Sequence, residues 1–199
     1  MKQAAVGFRV HSGWSALVAV SLEKDGPIVL SRERVHLVET FIYKFRQPYH
    51  TAERMPLEKA RVFVGESLAE AKRLACGALR STQKEMGSKG YELARGALLL
   101  ASGKSLPGLE NILRSHALIH TADGEHFREA LRRACEDCGV EMASFREREL
   151  VERGVKTLRM RRDGLLRRLT ELGNGFGSPW TQDEKYAALA AWLALAEAE

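Results

Sequence analysis

Ala5-Val6-Gly7-Phe8-Arg9-Val10, Ser15-Ala16-Leu17-Val18-Ala19-Val20-Ser21-Leu22 and the run from Ile28 to Val38 are three stretches dense in aliphatic and β-branched side chains. His11-Ser12-Gly13-Trp14 separates the first two, and Glu23-Lys24-Asp25-Gly26-Pro27 separates the second from the third. Gly, Pro and Asp between apolar runs mark turns, so the first forty residues predict two successive hairpins, an antiparallel meander. Later helices are expected to pack on this floor.

Beyond the meander, the aromatic segment Glu39 to His50 reads as an edge extension or an ordered loop, closed by Pro48, which cannot donate a ladder bond. Pro56 opens a long helix, because proline at a first turn loses no hydrogen bond. Leu57, Ala60, Val64, Leu68, Ala71, Ala75 and Ala78 form its apolar stripe to about Met86. Ala94 to Ser102 is continuously apolar around Leu98-Leu99-Leu100, the pattern of a central strand covered on both faces. Helices are predicted over Leu109–Ile119 and Ala122–Cys138, the second capped by Thr121. Val140–Phe145 reads as a fifth strand, Lys156–Leu172 as a strongly basic helix, and Thr181 to about Ala198 as the last helix, after the glycine loop 173–180.

The chain has 199 residues, 45% hydrophobic and 29% charged, with a formal net charge of +5. A chain of this length buries roughly 70% of its unfolded surface and needs no staple. No repeat or linker divides it, so residues 1–199 are expected to form a single domain. The basic sum is compatible with a polyanionic partner without requiring one. Cys76, Cys135 and Cys138 are an odd set in a helical context, which argues against a disulfide scaffold and for a reducing, cytoplasmic location. Met1-Lys2-Gln3 runs straight into a strand, without a basic-then-apolar leader. The run Tyr186–Ala196 is shorter than the ~20 residues that span a bilayer, so no membrane partner is expected.

The order strand, strand, strand, helix, strand, helix, strand, helix resembles the ribonuclease H-like superfamily, and within it the Holliday-junction resolvases of the RuvC type. Gly7-Phe8-Arg9 followed by Val10-His11-Ser12-Gly13-Trp14 is similar to that family's first strand and turn, which read Gly-Ile-Asp and then small residues. Asp183-Glu184-Lys185-Tyr186-Ala187-Ala188-Leu189-Ala190 is similar to its last helix, Asp-x-x-Asp-Ala-Leu-Ala. The resemblance implies an α/β fold: a five-stranded mixed sheet, antiparallel meander first, with helices on both faces.

Those enzymes hold two divalent metals on clustered carboxylates, which activate water against a phosphodiester. This chain departs from the pattern. Arg9 stands at the first acidic station, Ala101 or Ser102 at the end of the fourth strand, and Tyr186 at the second position of the last helix; only Asp183 matches. A cation at the centre repels a metal, so the resemblance implies a degenerate nuclease site. No cofactor is expected, with magnesium or manganese needed only if the nuclease reading holds.

Each candidate residue has a plainer reading beside it. Asp183 and Glu184 are remnant catalytic acids or, more commonly for Thr-x-x-Glu, a capping box. Ser102-Gly103-Lys104-Ser105 lies between a strand and a helix and places Lys104 where a phosphate could bind, but a full P-loop wants glycine where Leu98 stands. His11 and Ser12 could form a phosphate-binding turn, as in actin-like cousins of the fold, or a simple hairpin packed by Trp14. Cys135-Glu136-Asp137-Cys138 lacks a second pair for zinc and sits at the wrong helix end for redox work. His116 and His120 share a helix face, near Asp123, Glu125 and His126; without a Glu between them the zinc-protease motif is incomplete, so surface or packing histidines are the commoner reading.

Arg153, Lys156, Arg159, Arg161, Arg162, Arg167 and Arg168 form the densest basic run and the candidate nucleic-acid contact. Phe176 and Trp180 beside it could stack bases or plug the core. The functional expectation is a non-catalytic ribonuclease H-like domain that binds nucleic acid, or a protein partner, through the basic helix. The alternatives are a metal-dependent nuclease with relocated acids drawn from Asp183, Glu184, Glu33 or Glu110, and a structural or assembly subunit of undetermined oligomeric state.

Overall fold

The structure is a computed structural model that describes residues 1–101 and 105–198. Strands β1 (Lys2–His11), β2 (Trp14–Glu23) and β3 (Gly26–His36) form the antiparallel meander. Strand β4 (Tyr91–Leu100) runs parallel to β1, and β5 (Glu141–Arg146) runs parallel to β4, giving the order β3-β2-β1-β4-β5. The expected mixed five-stranded sheet is therefore present. Gly13 and Gly26 sit at φ 84° and 111°, a left-handed region that glycine enters without penalty, which is why the meander's turns fall there.

Alternation along β1 divides the molecule into two cores. Ala4, Val6, Phe8 and Val10 face α3 (Leu57–Ser88) and α5 (His116–Asp137), meeting Leu79, Phe127 and Leu131. Ala5 faces the other core with Val18, Val20, Ala97 and Leu99, against α6 (Leu150–Thr157), α7 (Arg162–Glu171) and α8 (Gln182–Ala196). Every residue of α8 from Ala187 to Leu195 is buried, as befits a helix that is apolar all round.

Four local expectations are corrected. The segment after the meander is not extended: it forms α1 (Tyr43–Arg46) and α2 (Pro48–Ala52), with Pro48 opening α2 rather than closing a strand. The first helix after β4 is short, α4 (Leu109–Leu113), and α5 starts at His116. Thr121 consequently lies inside α5, where its hydroxyl donates to Ala117 O and caps nothing. The basic helix over 156–172 is two helices, α6 and α7, separated at Leu158–Arg161, where Arg159 adopts φ 52°.

His126 is buried on α5, 4% exposed, with Nε2 3.2 Å from the Ser67 hydroxyl. Burial pushes its pKa down to about 4, against a weaker upward pull from Ser67. Because the unfolded chain takes up this proton near pH 6.5, stability is intact above that value and falls as pH drops towards 4. We expect about 2 kcal/mol to be lost between pH 7 and pH 5. Urea unfolding at the two pH values measures it, and His126→Gln should flatten the slope.

Candidate functional site

The parallel strands β1, β4 and β5 all end at one edge of the sheet, the edge where α/β folds generally gather ligands. The β1 residues Arg9 and His11 alternate onto the α8 face. Asp183 stands in the first turn of α8, and Glu147 follows directly after β5, opening a single 3-10 turn over Glu147–Glu149. These four side chains converge.

Arg9 donates from Nη2 to Glu147 Oε1 at 2.6 Å and from Nε to Glu147 Oε2 at 3.3 Å, a two-pronged fork. Its Nη1 donates to Asp183 Oδ1. His11 Nε2 lies 2.8 Å from the same oxygen. The Arg9 and Asp183 side chains are only 19% and 21% exposed, so the cluster is shielded well enough for the pairing to matter. Burial alone would raise the Asp183 carboxyl, but hydrogen bonds from His11 and Arg9 prevail and hold it below the usual carboxylate range. Burial likewise works against the Arg9 cation, and the bonds from Glu147 and Asp183 overcome it, so the guanidinium is held yet more firmly protonated.

Aromatic groups frame the cluster. The Trp14 ring stacks on His11 at 4.3 Å between centroids and 13° between planes, with the Arg34 guanidinium 3.9 Å from the Trp14 ring centre. Tyr186 lies 5.7 Å from Arg9. A groove of about 420 Å³ on one side includes Arg32, Arg34, Glu33, Asp183 and Glu184, and one of about 470 Å³ on the other includes Glu147, Arg148, Arg162 and Tyr186.

The two-metal arrangement that the fold's nucleases use does not fit this donor set. Two magnesium or manganese ions need several carboxylate oxygens facing open space. Here both Glu147 oxygens and Asp183 Oδ1 are turned onto the Arg9 guanidinium, which lies between the two acids.

The other expected residues are placed as follows. Glu184 completes a capping box: its carboxylate accepts from Thr181 N at 2.7 Å, while the Thr181 hydroxyl accepts from Asp183 N. Glu33 shares a groove with Asp183, whereas Glu110 pairs with Arg114 at 2.6 Å on α4. His11 is committed to Asp183, and Ser12 O accepts from Arg46 Nε at 3.4 Å. Ser102 and Lys104 lie outside the described residues. Trp180 packs over Gly173 and donates from Nε1 to Leu169 O at 2.8 Å, so it plugs the core edge rather than offering a free face. Burial pushes the Cys135 thiol up to about 12, the opposite of what a redox pair needs.

The basic residues divide. Arg153 makes a fork with Glu197 at 2.7 and 2.6 Å, Arg162 pairs with Glu152, and Arg168 lies 3.8 Å from Glu171. Among the described residues, Lys156, Arg159, Arg161 and Arg167 are exposed and form no ion pair. Glu147 is the site residue that the sequence does not announce. It belongs to the alternating run Arg146-Glu147-Arg148-Glu149, which reads as solvated surface, and its one signal is its place immediately after a parallel strand.

No family model and no curated protein matches the chain. Among solved structures it is similar to Thermus thermophilus RuvC in complex with a Holliday junction substrate, with a TM-score of 0.56 at 12% identity, covering 98% of this chain and 94% of that one. Thermus thermophilus RuvC by itself gives 0.53 at 12%, covering 98% and 95%. The yeast mitochondrial Holliday junction resolvase Ydc2 gives 0.56 at 12%, covering 98% and 80%. At such identity the likeness speaks to architecture: the chain shares the ribonuclease H-like fold of these structures.

Proposed function

We propose that the protein is a single ribonuclease H-like domain that binds nucleic acid without cutting it. One observation carries this reading: Arg9 is locked between Glu147 and Asp183 where the fold's nucleases would hold metal. Arg9 engages both Glu147 oxygens and Asp183 Oδ1, so its cation takes the place between the two acids that a divalent ion would need. The likeness to resolvases, one of them solved on a Holliday junction, supports a nucleic-acid partner. The exposed, unpaired cations Lys156, Arg159, Arg161 and Arg167 supply a phosphate-binding surface on the α6–α7 elbow. The alternative of an active nuclease would need Arg9 to leave the site.

Fluorescence anisotropy with single-stranded, duplex and four-way-junction DNA at low and moderate salt tests the binding. Affinity should fall steeply as salt rises, because bound cations release counterions from the phosphates. Replacing Lys156, Arg159, Arg161 and Arg167 together by alanine should lower the salt slope by ~0.9 for each phosphate no longer neutralised. Absence of binding at low salt overturns the nucleic-acid half. Magnesium- or manganese-dependent cleavage that disappears in Asp183→Asn overturns the non-catalytic half.

A further inference from the structure

A second constellation lies on the other helical layer, where α2 meets the N-terminal half of α5. His116, His120 and Asp123 follow one another at helical spacing and share one face of α5. His50 of α2 comes down onto that face. One ring nitrogen from each of His50, His116 and His120 lies within 4.8 Å of the others. His116 Nε2 and His120 Nε2 are 3.1 Å apart.

We propose that His50, His116 and His120 form a binding site for a zinc ion. The chemistry of the donors points to it. Three imidazoles are borderline-soft nitrogen ligands, suited to zinc and its transition-metal neighbours and unsuited to magnesium or calcium. Zinc–nitrogen bonds of ~2.0–2.1 Å in a tetrahedron place ligand atoms about 3.4 Å apart. The His116–His120 pair at 3.1 Å is already near that spacing, and the His50 nitrogen, within 4.8 Å of both, has only to close in on them.

The support behind the first histidine is the independent argument. His50 Nδ1 lies 2.5 Å from Asp123 Oδ2, and Asp123 Oδ1 accepts from Tyr49 N at 2.7 Å. Asp123 is 4% exposed. A buried carboxylate thus fixes both the ring and the backbone of α2, and it leaves Nε2 of His50 as the nitrogen free to ligate. This carboxylate–histidine arrangement is how proteins orient a metal-binding imidazole. His116 and His120 are exposed, which gives the ion a way in and leaves a fourth position for water or for a ligand atom from a partner. Ordinary packing of three rings would not require their nitrogens to converge, nor a buried acid behind one of them.

The test uses the full chain without a histidine tag, stripped with chelator and dialysed. Calorimetric titration with zinc should show one equivalent bound with a dissociation constant below ~1 μM, and zinc should raise the melting temperature. The double variant His116→Ala/His120→Ala changes only exposed side chains, so its circular dichroism should match the native chain while its zinc affinity falls at least 100-fold. Asp123→Asn should weaken binding about 10–100-fold. Cobalt distinguishes this site from the cysteines Cys76, Cys135 and Cys138. The histidine site gives weak visible bands that vanish in the double variant, whereas strong near-ultraviolet thiolate bands that persist in it would move the ion elsewhere and overturn the proposal. Failure to take up zinc at 100 μM overturns it as well.

Discussion

Gly7→Ala should lower stability by about 3 kcal/mol, and Gly7→Val should leave no folded protein to purify. A Cβ built on Gly7 would lie 1.8 Å from the carbonyl oxygen of Ala187 and 2.7 Å from its carbonyl carbon. Both atoms are backbone, so no rotamer change relieves the clash. Either α8 lifts from the sheet or β1 bows away from it. The cost is large because α8 is the most buried helix and sits against β1, β2 and β4 together. Its small residues Ala187, Ala188, Ala190, Ala191 and Ala194 let the helix approach so closely that only hydrogen fits beneath it. Urea unfolding should show a lower midpoint with an unchanged slope. Gly65→Ala is the matched control: nothing lies within 4 Å of its Cβ at this exposed position of α3, so the same added methyl should stabilise by ~0.5–1 kcal/mol through helix propensity. Equal responses at the two glycines would mean that α8 is not seated as described.

The fold is legible in the sequence where backbone chemistry is local. The meander is readable because Gly13, Gly26 and Pro27 interrupt aliphatic runs, and the turns fall where left-handed backbone is required. The capping box at Thr181 is readable because its partners are three residues apart. Signals fail where one residue type serves two ends. Pro48 can close a strand or open a helix, and the contacts that hold α2, among them Tyr49 N donating to the distant Asp123 carboxylate, are tertiary. The break between α6 and α7 is hidden because it rests on Arg159 in a left-handed conformation, which no glycine or asparagine advertises.

The site is half legible for the same reason. Arg9 and Asp183 are visible through the resemblance. Glu147 is camouflaged by neighbouring charges, and its meaning depends on β5 lying two places from β1. His50 is far from His116 in sequence and meets it only through tertiary packing of α2 on α5. Sequence spacing finds ligands on one helix and not those that a fold brings from another.

Arg9→Leu should cost about 2–3 kcal/mol at pH 7, below the ~3–5 kcal/mol typical when one partner of a fully buried pair is removed, because these side chains keep some exposure to water. The variant leaves Glu147 and Asp183 without the cation that joins them, and its acid-side pH dependence should become shallower. In the native chain the Asp183 carboxyl is held low, so its contribution is present above the unfolded carboxylate value near ~3.9 and is lost as pH falls through the lower folded value. Without Arg9 the hydrogen bond from His11 still opposes burial, so the Asp183 carboxyl rises from its lowered native value and the variant should lose less stability than the native chain as pH falls through the carboxylate range. Arg9→Asp goes further. It places a third carboxylate beside Glu147 and Asp183, and it should be at least as unstable as Arg9→Leu in chelator. Manganese at ten times its dissociation constant should then return about 1.4 kcal/mol, seen as a rise in melting temperature that neither the native chain nor Arg9→Leu shows to the same extent. That comparison is made in the His116→Ala/His120→Ala background, so that manganese cannot act through the histidine site. If Arg9→Asp ignores manganese, the surrounding geometry has drifted too far for the two acids to serve as ligands; if the native chain responds as strongly, Arg9 does not fill the site and the non-catalytic reading falls.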